Sequence, residues 1–222
     1  MKTQKHQETI LKEISSKLLL ESNSRNLYFT KGEDPLSAVD CLEYFHFIVK
    51  GKIKIYDIDF YSSKEQTIYM LYDCSMFDVV SLLNGKPSQY ISEVLEDTYV
   101  IQLPMEDVKE MILNDEVFRE YFYSYVATQL ASVEDLVVSF SFYDVYHRIL
   151  HLFNNFTQTS EGECRLNIIN NLSHEDLASM VGSVRKVVNR SLQKLKKENI
   201  IEISRKNIQI TDFKKLLDRS IS

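Results

Sequence analysis

The side chains in this sequence best suited to chemistry are cationic and amide groups crowded into one short stretch. Arg185, Lys186, Asn189 and Arg190 all fall between positions 185 and 190. A guanidinium carries a planar fork of donors that fits guanine O6 and N7 together, and an asparagine amide can pair with adenine N6 and N7. A lysine ammonium only donates, so Lys186 suits guanine O6/N7, thymine O4 or a phosphate. Ser173, His174, Ser183 and Lys206 flank the cluster with hydroxyl, imidazole and ammonium groups of the kind that hold phosphates. These residue types at this spacing point to the base edges and backbone of double-stranded DNA.

Covalent catalysis finds less support. The sequence has no P-loop, no GxSxG, no HExxH and no Gly-rich dinucleotide turn, so no catalytic residue and no enzyme activity is expected. His147 and His151 stand four apart on a helical stretch, a spacing that can bind metal. No third ligand accompanies them, and they read as ordinary helix residues, so no metal site is expected. Cys41, Cys74 and Cys164 are odd in number and lack CxxC spacing, which argues against a disulfide framework or a zinc site.

The cationic cluster needs elements to hold it. Ser173 to Asn199 reads as two short helices joined by a tight turn. Ser173 caps the first helix, and Asp176 three positions later completes a capping-box pattern. Leu177, Met180 and Val181 share one face, and Gly182 sits where a chain leaving a helix turns left-handed. Ser183 is placed to cap the second helix, whose Val188, Leu192 and Leu195 form a buried stripe away from the four cationic and amide residues. The segments Ile200–Ser204 and Asn207–Thr211 alternate around Arg205 and Lys206 and suggest a two-stranded wing. A surface helical hairpin with a solvated charged face would be the blander reading.

Charge is distributed to match. Up to Tyr143 there are 13 Lys+Arg against 23 Asp+Glu, and beyond it 13 against nine, so an overall charge of −6 hides a basic C-terminal third. Phosphate contacts dominate affinity for nucleic acid, so the basic part is where DNA would bind. No apolar run is long enough to span a bilayer and no signal-peptide core opens the chain, which predicts a cytoplasmic protein without a membrane partner.

Ahead of this region, His6 to Leu20 carries apolar residues at helical spacing and predicts an amphipathic lead-in helix. From Leu27 to Leu103 short β-like runs follow, with turn signals at Lys31–Pro35, Lys50–Lys52, Tyr61–Lys64 and Asn84–Pro87. Pro104 to Leu113 predicts a short helix and Asp115 to about Phe142 a long one. In the long helix Val126, Leu130, Val133, Val137 and Phe140 repeat at spacings of four and three, a coiled-coil seam for a homodimer; a helix buried within a monomer is the alternative. Val117, Phe118, Tyr121 and Tyr125 lie on another side and are expected to pack on the strands. Phe142–Asp144 reads as a hinge, Val145 to Phe156 as a helix, Thr157 to Glu163 as a polar loop, and Asp212 to Arg219 as a closing helix.

The residues Asp176-Leu177-Ala178, Val181-Gly182, Arg185, Val188, Arg190, Leu192, Leu195 and Asn199-Ile200-Ile201 form a gapless pattern that resembles the DNA-binding end of the cyclic-AMP receptor protein/FNR (Crp/Fnr) superfamily of bacterial transcription regulators. Tyr28–Glu33, Tyr44–Tyr56 and Ile68–Leu83 are similar to its cyclic-nucleotide-binding β-roll. The resemblance implies an α+β fold with a sensor-like roll in residues 1–113, a dimerisation helix and hinge in 114–143, and a winged helix-turn-helix in 144–222. It implies palindromic double-stranded DNA as partner and leaves contact with RNA polymerase, activation and repression open. In cyclic-AMP-binding members a Gly-Glu pair and an Arg-Ser pair hold the nucleotide. Aligning Phe77 and Val94 without gaps puts Val79-Val80 and Tyr90-Ile91 there, and neither valine nor tyrosine can replace the lost carboxylate and guanidinium. An effector other than cyclic AMP, or none, is therefore expected. The N-terminal cysteines of the iron–sulfur branch are also missing. A haem-based gas sensor using a histidine such as His46 stays open, as does a ligand-gated protein-interaction module; no cofactor is identified.

Overall fold

The computed structural model describes Leu18 and residues 23–35, 42–87, 89–160, 163–205 and 207–221. The expected lead-in helix lies outside the described residues except for Leu18, which is helical and buried. The chain divides into two compact units. The first takes the described residues of Met1–Tyr56 and Tyr69–Ala131, the second those of Asp57–Ile68 and Ser132–Ser222.

The first unit is an antiparallel roll. Strands β1 (Arg25–Phe29), β2 (Tyr44–Asp59), β3 (Lys64–Tyr72), β4 (Met76–Phe77) and β5 (Ile91–Pro104) form a sheet in the order β1-β5-β2-β3, with β4 on β2. Helix α1 (Val79–Asn84) is short, and α2 (Met105–Asn114) leads into α3 (Glu116–Phe142). Phe45, Phe47, Ile101 and Leu103 meet Val108, Phe118 and Phe122 from the helices in one apolar cluster. Ile48, Ile53, Ile55, Leu71, Val94 and Val100 form a second. The helical stripe is therefore Phe118 and Phe122, with Tyr121 and Tyr125 half-buried, while Val117 is exposed. A helix repeats every 3.6 residues, so positions 118 and 122 share a face that 117 leaves. Both tyrosine hydroxyls donate to backbone carbonyls, Tyr121 to Cys74 at 2.5 Å and Tyr125 to Met76 at 2.8 Å, and burial pushes both phenols up.

The expected turn at Lys50–Lys52 is instead an irregularity inside one continuous strand. The pairing of β2 with β5 shifts register between Ile48 and Ile53, and Gly51 takes φ +126°, where a Cβ would lie 2.2 Å from Thr98 Oγ1. Glycine here serves close backbone approach in a bulge rather than chain reversal.

In the second unit α4 (Val145–Asn155) packs on α6 (Arg185–Lys197) and α7 (Phe213–Ile221), and α5 (His174–Met180) packs on α6. Ile149, Leu150, Phe153, Leu177, Val188, Leu192, Leu195, Ile200 and Leu216 are buried. Strands β8 (Ile201–Ser204) and β9 (Asn207–Ile210) make the expected wing. Thr157 to Glu163, expected as a loop, contributes to a hairpin of β6 (Thr157–Ser160) and β7 (Glu163–Leu166). Its polar composition hid the strands, because a two-stranded ladder can form without apolar alternation. No helix among the described residues is long and apolar enough to cross a membrane.

Candidate nucleic-acid interface

Local sequence builds the two helices as a pair. Ser173 Oγ accepts from the Asp176 backbone N–H at 3.0 Å, and Asp176 Oδ2 accepts from the Ser173 N–H at 3.3 Å, a reciprocal capping box. Gly182 turns the chain at φ +60°, and a Cβ there would stand 3.0 Å from the Phe140 ring. The cap of α6 differs from expectation. Val184, not Ser183, is its N-cap residue, and no side chain caps the helix. Ser183 is half-buried and its N–H donates to the Ala178 carbonyl at 2.9 Å, which places it in the turn. The first-turn amides of α6 thus keep the partial positive charge that attracts anions.

Arg185, Lys186, Asn189 and Arg190 are all exposed on α6, while Val188 and Leu192 anchor its other side. The side chains of Lys186, Asn189 and Arg190 make no hydrogen bond or ion pair with a described residue. Arg185 does: its Nη1 lies 2.8 Å from Glu175 Oε1. Ser173 is exposed at the start of α5 and His174 half-buried beside it. Lys206 lies outside the described residues. At the other end of α6, Lys194 is engaged by a neighbouring helix. Lys194 Nζ sits 3.9 Å from the Tyr146 ring centroid, and Glu198 accepts from the Tyr146 hydroxyl at 3.0 Å. Burial, helped by that bond, raises the Tyr146 phenol to about 12.

Arg148 was not legible as a functional residue in the sequence. Its Nε donates to the Tyr143 carbonyl at 2.9 Å, Nη1 to Val181 at 3.1 Å and Nη2 to Phe140 at 3.3 Å. One guanidinium thereby ties the end of α3 and the hinge to the turn before α6. Asp144 caps α4, accepting from the His147 N–H at 3.0 Å, and that bond, with the His147 ring, holds its carboxyl below the usual range. His147 is thus occupied by a cap, and among the described residues no cluster of metal-ligating groups exists.

Of the residues expected at the effector site, Val79 and Ile91 are half-buried and Val80 and Tyr90 are exposed. Val80 is 58% exposed on α1, and Tyr90 is exposed just before β5. His46 is 3% exposed. Its Nδ1 faces Asp78 Oδ2 at 2.6 Å and its Nε2 faces the Gln102 amide nitrogen at 3.0 Å, so both ring nitrogens are engaged. Along α3, Leu130 and Val137 are each 60% exposed, and Val126, Val133 and Phe140 are half-buried.

Two family models match the chain: a cyclic nucleotide-binding domain over residues 27–115 and a Crp-like helix-turn-helix domain over residues 145–219. The global nitrogen regulator of Synechocystis sp. is 24% identical over 177 residues, covering 77% of each protein. Among solved structures, a CooA variant from Carboxydothermus hydrogenoformans superimposes with a TM-score of 0.75 at 16% identity, covering 92% of this chain and 90% of that one. A CRP/FNR-family transcriptional regulator from Thermus thermophilus gives 0.68 at 19% identity, covering 89% and 99%.

Proposed function

From the premise that the chain belongs to the Crp/Fnr superfamily of DNA-binding transcription regulators, and so is not an enzyme, we propose that it acts as a cytoplasmic homodimer on palindromic double-stranded DNA. The observation that carries this reading is the exposed quartet Arg185, Lys186, Asn189 and Arg190 at the uncapped N-terminal end of α6. Arg185 and Arg190 fork onto guanine, Lys186 takes guanine, thymine O4 or a phosphate, and Asn189 takes adenine. The α6 amides, Ser173, His174, Ser183 and Lys206 hold the backbone. The apolar positions Leu130 and Val137, exposed in the single chain, support a helix seam with Val126, Val133 and Phe140. Two copies then present α6 to half-sites about one helical turn apart. Contact with RNA polymerase belongs to the same reading.

The experiment is selection of bound duplexes from a random pool. A two-fold symmetric consensus, with affinity that falls steeply as salt rises, is the expected result. Recovery of unselected sequences would sink the base-reading assignment.

The effector is not cyclic AMP in this reading. Val80 and Tyr90 stand where a ribose acceptor and a phosphate-neutralising cation are needed. Titration calorimetry with cyclic AMP or cyclic GMP should show no saturable micromolar binding; a clear isotherm would refute this part.

A further inference from the structure

Of the four residues at the proposed reading end of α6, only Arg185 is tethered by its side chain to another described residue. Its guanidinium meets the carboxylate of Glu175 at 2.8 Å, from the first turn of α5 to the first residue of α6, and both side chains are more than half exposed (67% and 59%). An exposed pair of this kind adds little to stability, because water screens it and two long side chains must be held still. Its placement among groups assigned to DNA, with a negative charge where phosphates would approach, calls for another use.

We propose that Glu175 is a specificity-determining residue, which aims Arg185 at guanine and penalises every other use of that side chain. The inference rests on the reading of α6 as the DNA-reading helix. Glu175 occupies one donor of Nη1 and leaves the remaining N–H groups of the fork to meet guanine O6 and N7. With guanine present, the carboxylate stays neutralised by the same guanidinium that reads the base. If Arg185 swings instead to a phosphate, the ion pair breaks and the carboxylate faces the anionic backbone alone. If the base pair offers no matching acceptors, Arg185 loses its base contact and can regain a phosphate contact only by leaving Glu175 unpaired beside the backbone. Discrimination arises because the carboxylate weakens binding to wrong partners more than to the right one.

Glu175 also lies in the first turn of α5, where its charge favours the helix dipole, and the test must separate that role. Glu175→Gln, Glu175→Asp and Arg185→Ala are to be measured on the selected operator, on its single-base variants and on a non-specific duplex, with thermal melts of each protein. Glu175→Gln should bind the non-specific duplex roughly three- to fivefold tighter and lose preference at one base pair per half-site by a similar factor. Glu175→Asp should keep the charge and the melting temperature but lose much of the preference, because the shorter side chain cannot reach Arg185. In the Arg185→Ala background, Glu175→Gln should alter no base preference. A change of equal size on every duplex overturns the proposal and leaves Glu175 a helix-stabilising charge. Wild-type base preference in Arg185→Ala alone overturns the reading beneath it.

Discussion

The two units use their charged groups in opposite directions. In the roll, Lys52 and Lys54 are almost wholly buried, with their ammoniums 2.8 and 2.7 Å from Glu96 and Glu93. His46 is closed in by Asp78 and Gln102, and Ser92 is held by Asp34. Each of these groups meets a protein partner, as burial demands. At the N-terminal end of α6 the side chains of Lys186, Asn189 and Arg190 face water with no partner among the described residues, and that of Arg185 is held by a single carboxylate. Groups left outward at no structural gain are free for a ligand; groups enclosed in pairs hold a fold. The contrast explains why the C-terminal part declares its chemistry in the sequence and the roll does not.

The largest effect should come from breaking the arrangement that makes the outward groups useful. Val133→Asp places a charge in the proposed seam, where an unpartnered buried charge costs on the order of 3–5 kcal/mol. Sedimentation should show monomers, and operator affinity should fall by roughly 10²-fold or more as two-site binding is lost. An unchanged dimer would mean that the seam lies elsewhere.

Gly51→Ala sharpens the other side of the comparison. A Cβ would stand 2.2 Å from Thr98 Oγ1 and 2.6 Å from its Cα, at a φ of +126° that side chains rarely adopt. The roll should lose about 2–5 kcal/mol in denaturant unfolding. Preference among operator variants should not change where the variant is folded, because the groups proposed to read DNA are not in the roll. Altered preference would show that the two regions are less separate than their chemistry suggests.

The smallest effect is a pH dependence in the second unit. Burial, with the nearby charge of His147, holds His151 below the usual histidine range, partly offset by Asp135; its ring lies 4.4 Å from that of Tyr143. The unfolded chain then binds more protons than the folded one as pH falls below the ordinary histidine value, so stability present above it declines on acidification. His151→Phe should flatten the change in melting temperature between pH 7 and pH 5. An unchanged slope would assign that dependence to another group.

Local sequence specifies the helix-turn-helix, the wing, the long helix and the β character of the stretch from Leu27 to Leu103. Each rests on interactions between near neighbours: the Ser173–Asp176 box, the left-handed Gly182, the spacing of Val188, Leu192 and Leu195. Such signals are local, because capping, turn conformation and helical periodicity act over four residues or fewer. Tertiary structure decided the rest. The glycine at position 51 makes a bulge because Thr98 lies against it, although the same Lys-Gly-Lys text would serve a turn. Val184 displaces Ser183 as the cap because Ser183 is drawn into the turn by Ala178. His46 is structural because Asp78 and Gln102 meet it from residues far along the chain. The Glu175–Arg185 pair and the three carbonyls on Arg148 likewise join residues brought close only by folding, and no local pattern encodes which distant charge or carbonyl a side chain will find.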